Sequence, residues 1–198
     1  MLLAGVVPQL SQDRDLHLAL MIVWGSIPAG LLGILFADRV ERVFSAPLVV
    51  SVALMVTGGV LWTTRYAPQP QRDVGWKQAL WIGLAQAAAL LPGISRSGTT
   101  ISTALHCKVG RQEAAEYSFL LALPAILGAT ALELKEMIAV LPPASQVRSL
   151  LLGIVAAFCS GYLAVRLLLH VVRRGKMSVF AYYCWAVGIL GLVLAGRA

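Results

Sequence analysis

From Leu18 to Phe36 the chain carries no Asp, Glu, Lys or Arg, and four further apolar runs follow. A helix rises ~1.5 Å per residue, so crossing the ~30 Å hydrocarbon core of a bilayer takes about 20 residues. Runs of that order extend from about His17 to Phe36, Pro47 to Trp62, Ala114 to Leu134, Leu150 to Val172 and Ser178 to Leu194. Only 13% of the residues are charged against 59% hydrophobic, where soluble domains carry about 25% charged. The chain therefore reads as an all-α integral membrane protein with about five transmembrane helices, in a single membrane domain over residues 1–198. Pro28 and Pro124 fall inside two of the runs, which membrane helices tolerate where neighbouring groups satisfy the freed carbonyls.

The net charge of +7 does not point to nucleic acid, because the basic residues sit between apolar runs and form no stripe. Cys107, Cys159 and Cys184 show no CxxC spacing and read as small apolar filler. Met1 to Leu10 has no basic stretch ahead of its apolar residues, so it reads as an amphipathic or irregular entry segment rather than a cleavable signal.

One region breaks the pattern. Trp76 to Leu91 and Thr99 to Val109 are apolar but too short to span, and Pro92-Gly93 lies between them. Such a pair is either a broken crossing helix or a re-entrant hairpin that returns to its own side. Loop charge favours the hairpin, over about 76–109. A re-entrant pair gathers Arg65, Arg72, Lys77, Lys108, Arg111, Arg173, Arg174 and Lys176 on one side, leaving Arg39, Arg42, Lys135, Arg148 and Arg197 on the other. Cytoplasmic loops collect Lys and Arg, so the N-terminus is expected inside and the C-terminus outside.

The turn of that hairpin reads LLPGISRSGTTIS, Leu90 to Ser102. An arginine at mid-bilayer costs at least ~2.5 kcal/mol on insertion scales, a cost that is acceptable when it faces a polar cavity and holds an anion. Arg96 offers planar, bidentate donors suited to phosphate. Gly93 and Gly98 permit close backbone approach, and the helix after the break would turn its unpaired N–H groups toward the same point. Ser95, Ser97, Thr99 and Thr100 add hydroxyls. Close helix packing by small residues, with the arginine snorkelling to the interface, is the competing account, but it explains neither the Pro-Gly break nor Arg96 between two serines.

Pro92-Gly93-Ile94-Ser95-Arg96-Ser97-Gly98-Thr99-Thr100 resembles the PGxSRSGxT signature of the undecaprenyl-diphosphate phosphatase family, the bacitracin-resistance type. Gln86 to Leu91 before it and Ala115 to Pro124 after it resemble the family's flanking segments, with weaker similarity, including Gly25 to Ala29, over most of the chain. The resemblance implies a helical membrane protein of the bacterial inner membrane, built from inverted repeats that each give a re-entrant hairpin to a central site. It implies removal of one phosphate from undecaprenyl diphosphate, recycling the lipid carrier of cell-wall synthesis, with a divalent cation (Mg or Ca). Carried onto this chain, it makes Arg96 the diphosphate clamp with Ser95 and Thr100 as catalytic partners, and Gly93, Ser97, Gly98 and Thr99 as substrate-binding positions.

The family's N-terminal motif, ExxxE followed by PxSSxGH, is not found here, so no metal ligand can be named. The architecture is then a partial inverted repeat, and the chain is expected to be a fragment of a longer protein, or to work as a homo-oligomer or with that repeat supplied separately. His106 lies ten residues beyond Arg96, too far along one helix for hydrogen-bond reach. Glu113 and Glu116 share a helix face near a membrane boundary; Asp13, Asp15 and His17 form a polar entry; His170 marks a helix end. A polyprenyl-phosphate transporter or flippase is the alternative function, since carriage needs the clamp but no acid or base. A non-catalytic assembly partner is the third.

Overall fold

The computed structural model describes residues 6–44, 46–70, 73–139 and 144–196, and every regular element among them is helical. The helices are α1 (Val6–Phe44), α2 (Pro47–Thr63), α3 (Trp76–Ala88), α4 (Arg96–His106), α5 (Arg111–Ala139), α6 (Ala144–Arg173) and α7 (Val179–Ala195). Among the described residues four segments are long and apolar enough to cross a membrane: Arg14–Phe36, Pro47–Tyr66, Arg111–Lys135 and Arg148–Arg173. The fifth expected span, α7, is 17 residues long, at the lower end of spanning helices.

Helix limits follow the apolar runs closely for α2 and α7 and overshoot them for α1, α5 and α6. The largest overshoot decides between the two readings of the N-terminal segment as amphipathic or irregular, since it is helical from Val6. Its proline lies in the first turn, where no intrahelical N–H is required, and Gln, Leu and Arg then continue the helix. At Phe36 the backbone leaves helical geometry (φ −123°, ψ 16°), dividing α1 where the apolar run ends.

Glycine sets the two closest helix contacts. Along the antiparallel pair α2 and α7, Gly58 lies under the indole of Trp185, Gly188 under Met55 and Gly191 under Ser51. Trp185 Nε1 donates to Met55 O at 3.2 Å, and Trp62, Tyr182 and Trp185 form a ring cluster. On the other flank α1, α3 and α5 converge: a Cβ on Gly83 would meet the Gly25 backbone, and one on Gly25 would meet the Tyr117 hydroxyl. Tyr117, almost fully buried, donates to Met21 O at 2.6 Å. Small residues allow this because lipid offers no hydrophobic drive toward helix association, leaving close packing and hydrogen bonds to supply it.

Between these flanks lies the short pair. At ~1.5 Å per residue, α3 (13 residues) reaches only about two thirds of the way across and α4 (11 residues) about half. They pack on each other and bury Ile82 and Ile101 completely. Both outer ends lie at the same end of the bundle: Val74 takes a hydrogen bond from His17 Nε2, and His106 pairs with Thr63. The pair thus turns back to the end of the bundle from which it set out, the geometry expected of a re-entrant hairpin. Arg65, Lys77, Lys108, Arg111, Arg173, Arg174 and Lys176 all belong to that end, where Gly175 rests on the Arg111 guanidinium; Arg72 lies outside the described residues. The Arg65 guanidinium sits 3.6 Å from the Trp62 ring centre, an anchor of the kind found at membrane interfaces. Helix α6 buries no side chain from Arg148 to His170, leaving an apolar surface for lipid.

The Gly25–Gly83 crossing makes a prediction. Gly83→Ala pushes α1 from α3 and should lower stability in detergent by about 1–3 kcal/mol, whereas Gly59→Ala, with nothing within 4 Å of the added methyl, should change it by less than about 0.5 kcal/mol. Equal melting of the two variants would refute the close crossing.

Candidate phosphate-binding loop

The turn from α3 to α4 runs through Ala89 to Ser95, and its backbone cannot continue either helix. Gly93 adopts φ +92°, a left-handed conformation that other L-residues rarely take, and it lies against the Val50 carbonyl and the Ala53 methyl of α2, where a Cβ would clash. Exposed peptide groups this deep in a membrane protein need internal partners. One side chain serves both sides of Ile94: the buried Thr57 hydroxyl donates to Gly93 O at 2.9 Å and accepts from Ser95 N–H at 3.1 Å. Ser95 is extended (φ −68°, ψ 112°) and caps α4, its Oγ accepting from Gly98 N–H at 3.2 Å.

The hydroxyls beyond the cap serve the helix. Thr99 donates to Ser95 O at 2.7 Å, Thr100 to Arg96 O at 2.8 Å, Ser102 to Gly98 O at 2.6 Å and Thr103 to Thr99 O at 2.9 Å. Thr100 is fully buried and also meets the Ser118 hydroxyl, tying α4 to α5. The sequence reading had Thr99 and Thr100 offering hydroxyls to an anion; here, in apolar surroundings, their protons are taken by the nearest carbonyls one turn back. Ser97 is the signature hydroxyl with no partner among the described residues.

The Arg96 side chain turns toward α3 and α5. Nε and Nη2 both donate to Gln86 Oε1, at 3.2 and 3.1 Å, and Nη2 also donates to Leu121 O at 3.3 Å. Pro124, which lacks an N–H, loosens the α5 ladder just beyond that carbonyl. Nη1 makes no bond among the described residues, and since no buried side-chain nitrogen or oxygen there lacks a partner, Nη1 is not sealed in the interior.

Arg96 lines a cavity of about 560 Å³ together with Ser26, Gly30, Gln86, Pro124 and Gly128, among others. Gly93, Ser95, Ser97 and Gly98 border a different cavity of about 500 Å³, walled by Leu54, Leu61, Leu167 and Phe180. The expected residues are therefore neighbours on one loop but face two sides of it. Sequence reading missed Thr57, which carries no local signal, and the roles of Gln86, Ser118 and the Leu121 carbonyl, which lie in the two flanking segments already singled out.

Candidate acids and bases lie elsewhere. His106 pairs with Thr63 Oγ1 at 2.9 Å at the far end of α4. Asp15, His17, Asp73, Glu113 and Glu116 line a third cavity at the basic end, where Glu116 accepts from Gln112 at 2.8 Å; the side chain of Asp13 lies outside the described residues, and His170 is exposed. Among the described residues, no three His, Cys, Asp or Glu side chains come together to hold a metal, and neither cavity at the loop has a carboxylate. A hard divalent cation is held mainly by carboxylate oxygens, and the described residues lining the Arg96 cavity supply none.

A family model described as "Bacitracin resistance protein BacA" matches residues 2–190. Relatives named undecaprenyl-diphosphatase are similar along most of the chain. One from Desulfatibacillum aliphaticivorans is 43% identical over 194 residues, covering 96% of this chain and 69% of the relative. One from Desulforapulum autotrophicum is 42% identical over 184 residues, covering 91% and 66%. One from Methanothermobacter thermautotrophicus is 42% identical over 181 residues, covering 88% and 99%. The chain thus spans about two thirds of the first two and nearly all of the third.

The loop geometry predicts that Thr57→Val, equal in shape but without the hydroxyl, strands a buried carbonyl and a buried N–H. Unfolding in detergent should show a loss of about 1–3 kcal/mol, with Thr57→Ser largely retaining the wild-type value. Equal losses in both variants would mean that packing, not hydrogen bonding, holds the loop.

Proposed function

The chain belongs to the bacitracin resistance protein BacA family, and from that membership we propose that it hydrolyses undecaprenyl diphosphate to undecaprenyl phosphate and inorganic phosphate. Water adds to the terminal phosphorus, the anhydride P–O bond breaks, and the displaced oxygen stays with the lipid phosphate. The observation that carries the reading is Arg96: a guanidinium held by two neutral oxygens, with Nη1 open to a cavity between α1, α3 and α5. Neither partner cancels its charge, so the full cation is available to the diphosphate and to the negative charge that builds on the leaving group.

In this reading Arg96 touches the diphosphate. Ser95 and Thr100 fix the start of α4 that carries it, one as cap and the other through Ser118. Gly93 and Gly98 admit the close backbone contacts of the loop, and Ser97 and Thr99 complete its polar faces. The protein sits in the plasma (inner) membrane with its basic end toward the cytoplasm. The relatives' names favour hydrolysis over carriage of a polyprenyl phosphate.

Purified protein with radiolabelled undecaprenyl diphosphate in detergent should release phosphate. Arg96→Met should lower kcat/KM by about 10²–10³-fold, the usual loss for one charge-stabilising donor. In vesicles, transbilayer movement of the lipid without phosphate release would replace hydrolysis with carriage.

A further inference from the structure

We propose that Gln86 is the positioning residue of the clamp: its neutral amide fixes the Nε/Nη2 edge of Arg96 and thereby dedicates Nη1 to the lipid's diphosphate. The inference rests on the function proposed above for its ligand but not for its geometry. Gln86 sits in the last turn of α3 and is 4% exposed, a depth at which a polar side chain is kept only with partners. Arginine has donors alone, so the atom facing it must be the amide oxygen. That one oxygen takes both Nε–H and a hydrogen of Nη2, and Leu121 O takes the other. Three of the five guanidinium donors are thereby fixed, and the remaining two, on Nη1, are unbonded among the described residues on a side chain that lines the cavity.

The choice of an amide has an electrostatic consequence. Glutamate has nearly the same shape and would hold the same edge with charge-assisted bonds. It would also neutralise the guanidinium in a low-dielectric site, where ion pairing is strong, and an anionic headgroup would then meet a neutral pair. Glutamine gives the orientation without the neutralisation. Among the described residues lining this cavity, which come from α1, α3, α4 and α5, Arg96 is the only ionisable side chain, so a carboxylate placed at 86 would titrate against Arg96 alone. The amide nitrogen of Gln86, unbonded among the described residues and so not sealed from the cavity, adds neutral donors beside Nη1.

Two variants separate positioning from mere packing. Gln86→Met keeps the volume and removes the acceptor; Gln86→Glu keeps the acceptor and adds the charge. The first readout needs no substrate: the ¹⁵Nε–H resonance of Arg96 should exchange slowly with water in wild type and in Gln86→Glu, and rapidly in Gln86→Met. The second is equilibrium binding of radiolabelled undecaprenyl diphosphate. Near neutral pH, Gln86→Glu should bind about 10–100-fold more weakly, the loss of a charged hydrogen-bond partner, and should recover toward wild type as acid protonates the new carboxyl. Wild-type binding changes over that range only with the lipid phosphate's own protonation, whose second pKa is about 6, so the ratio of variant to wild-type affinity at each pH is the quantity read.

Slow Arg96 Nε–H exchange in Gln86→Met, or Gln86→Glu binding the lipid as wild type does near neutral pH, would overturn the assignment. A wild type that protects Arg96 Nε–H and binds the lipid but releases no phosphate would sink the hydrolytic reading and leave the positioning role standing. Should Gln86→Met fail to fold, the pH recovery of Gln86→Glu decides alone, because a packing role has no reason to follow the protonation of residue 86.

Discussion

A single hydroxyl stands between the signature loop and the cost of burying unpaired peptide groups. Thr57 gives its proton to Gly93 O and takes the N–H of Ser95, closing both sides of Ile94 with one side chain. The loop can stay unwound inside a membrane protein only on that condition. Thr57 is held in turn by the fit of α2 on α7, where Gly58 lets the Trp185 indole lie against the helix and Trp185 bonds Met55 O. The placement of Arg96 thus depends on an α2–α7 contact that neither touches Arg96 nor carries any charge.

Given that support, the treatment of Arg96 decides what the loop can recognise. A buried guanidinium is commonly matched with a carboxylate, which satisfies it and removes it from service. Here the matching groups are an amide oxygen and a backbone carbonyl. They repay part of the desolvation cost as hydrogen bonds while leaving the net charge intact. The result is a cation that remains short of a counter-ion, in a cavity whose other described walls are mainly small and apolar. An anionic headgroup on an apolar chain suits both conditions, and under the proposed function the lipid diphosphate is that ligand.

Much of this architecture was legible in the sequence, for a reason that is physical. Lipid demands long apolar helices, so α2 and α7 end within a residue or two of where their apolar runs end. Short apolar halves around Pro92-Gly93 announced the hairpin, and the distribution of Lys and Arg chose its re-entrant form. The helical start at Val6 was not legible, because its polar residues suit water as a helix or as a coil. Nor was the direction of each side chain. Periodicity places Thr100 on a helix; whether its hydroxyl meets an anion, a carbonyl one turn back or Ser118 depends on χ1 and on α5. Cross-helix partners such as Thr57 for Gly93 and Leu121 for Arg96 lie 36 and 25 residues away, and no local pattern joins them.

The split of the loop into two faces follows from its own backbone. Ser95 is the extended N-cap, whereas Arg96 and Ser97 lie in the first turn of α4, where successive side chains are splayed by about 100° around the helix axis. Ser-Arg-Ser at this junction sends Ser95 and Ser97 toward the cavity walled by α2, α6 and α7, and Arg96 toward that between α1, α3 and α5. The cation is thereby separated from the hydroxyls that accompany it in sequence, and its closest polar neighbours become Gln86 and Leu121 O. Charge recognition at this loop is consequently a property of the α3–α4–α5 contact more than of the signature residues by themselves. A substitution on α3 or α5 that leaves the signature untouched should alter the clamp more than one at Thr99, whose hydroxyl is already committed to Ser95 O.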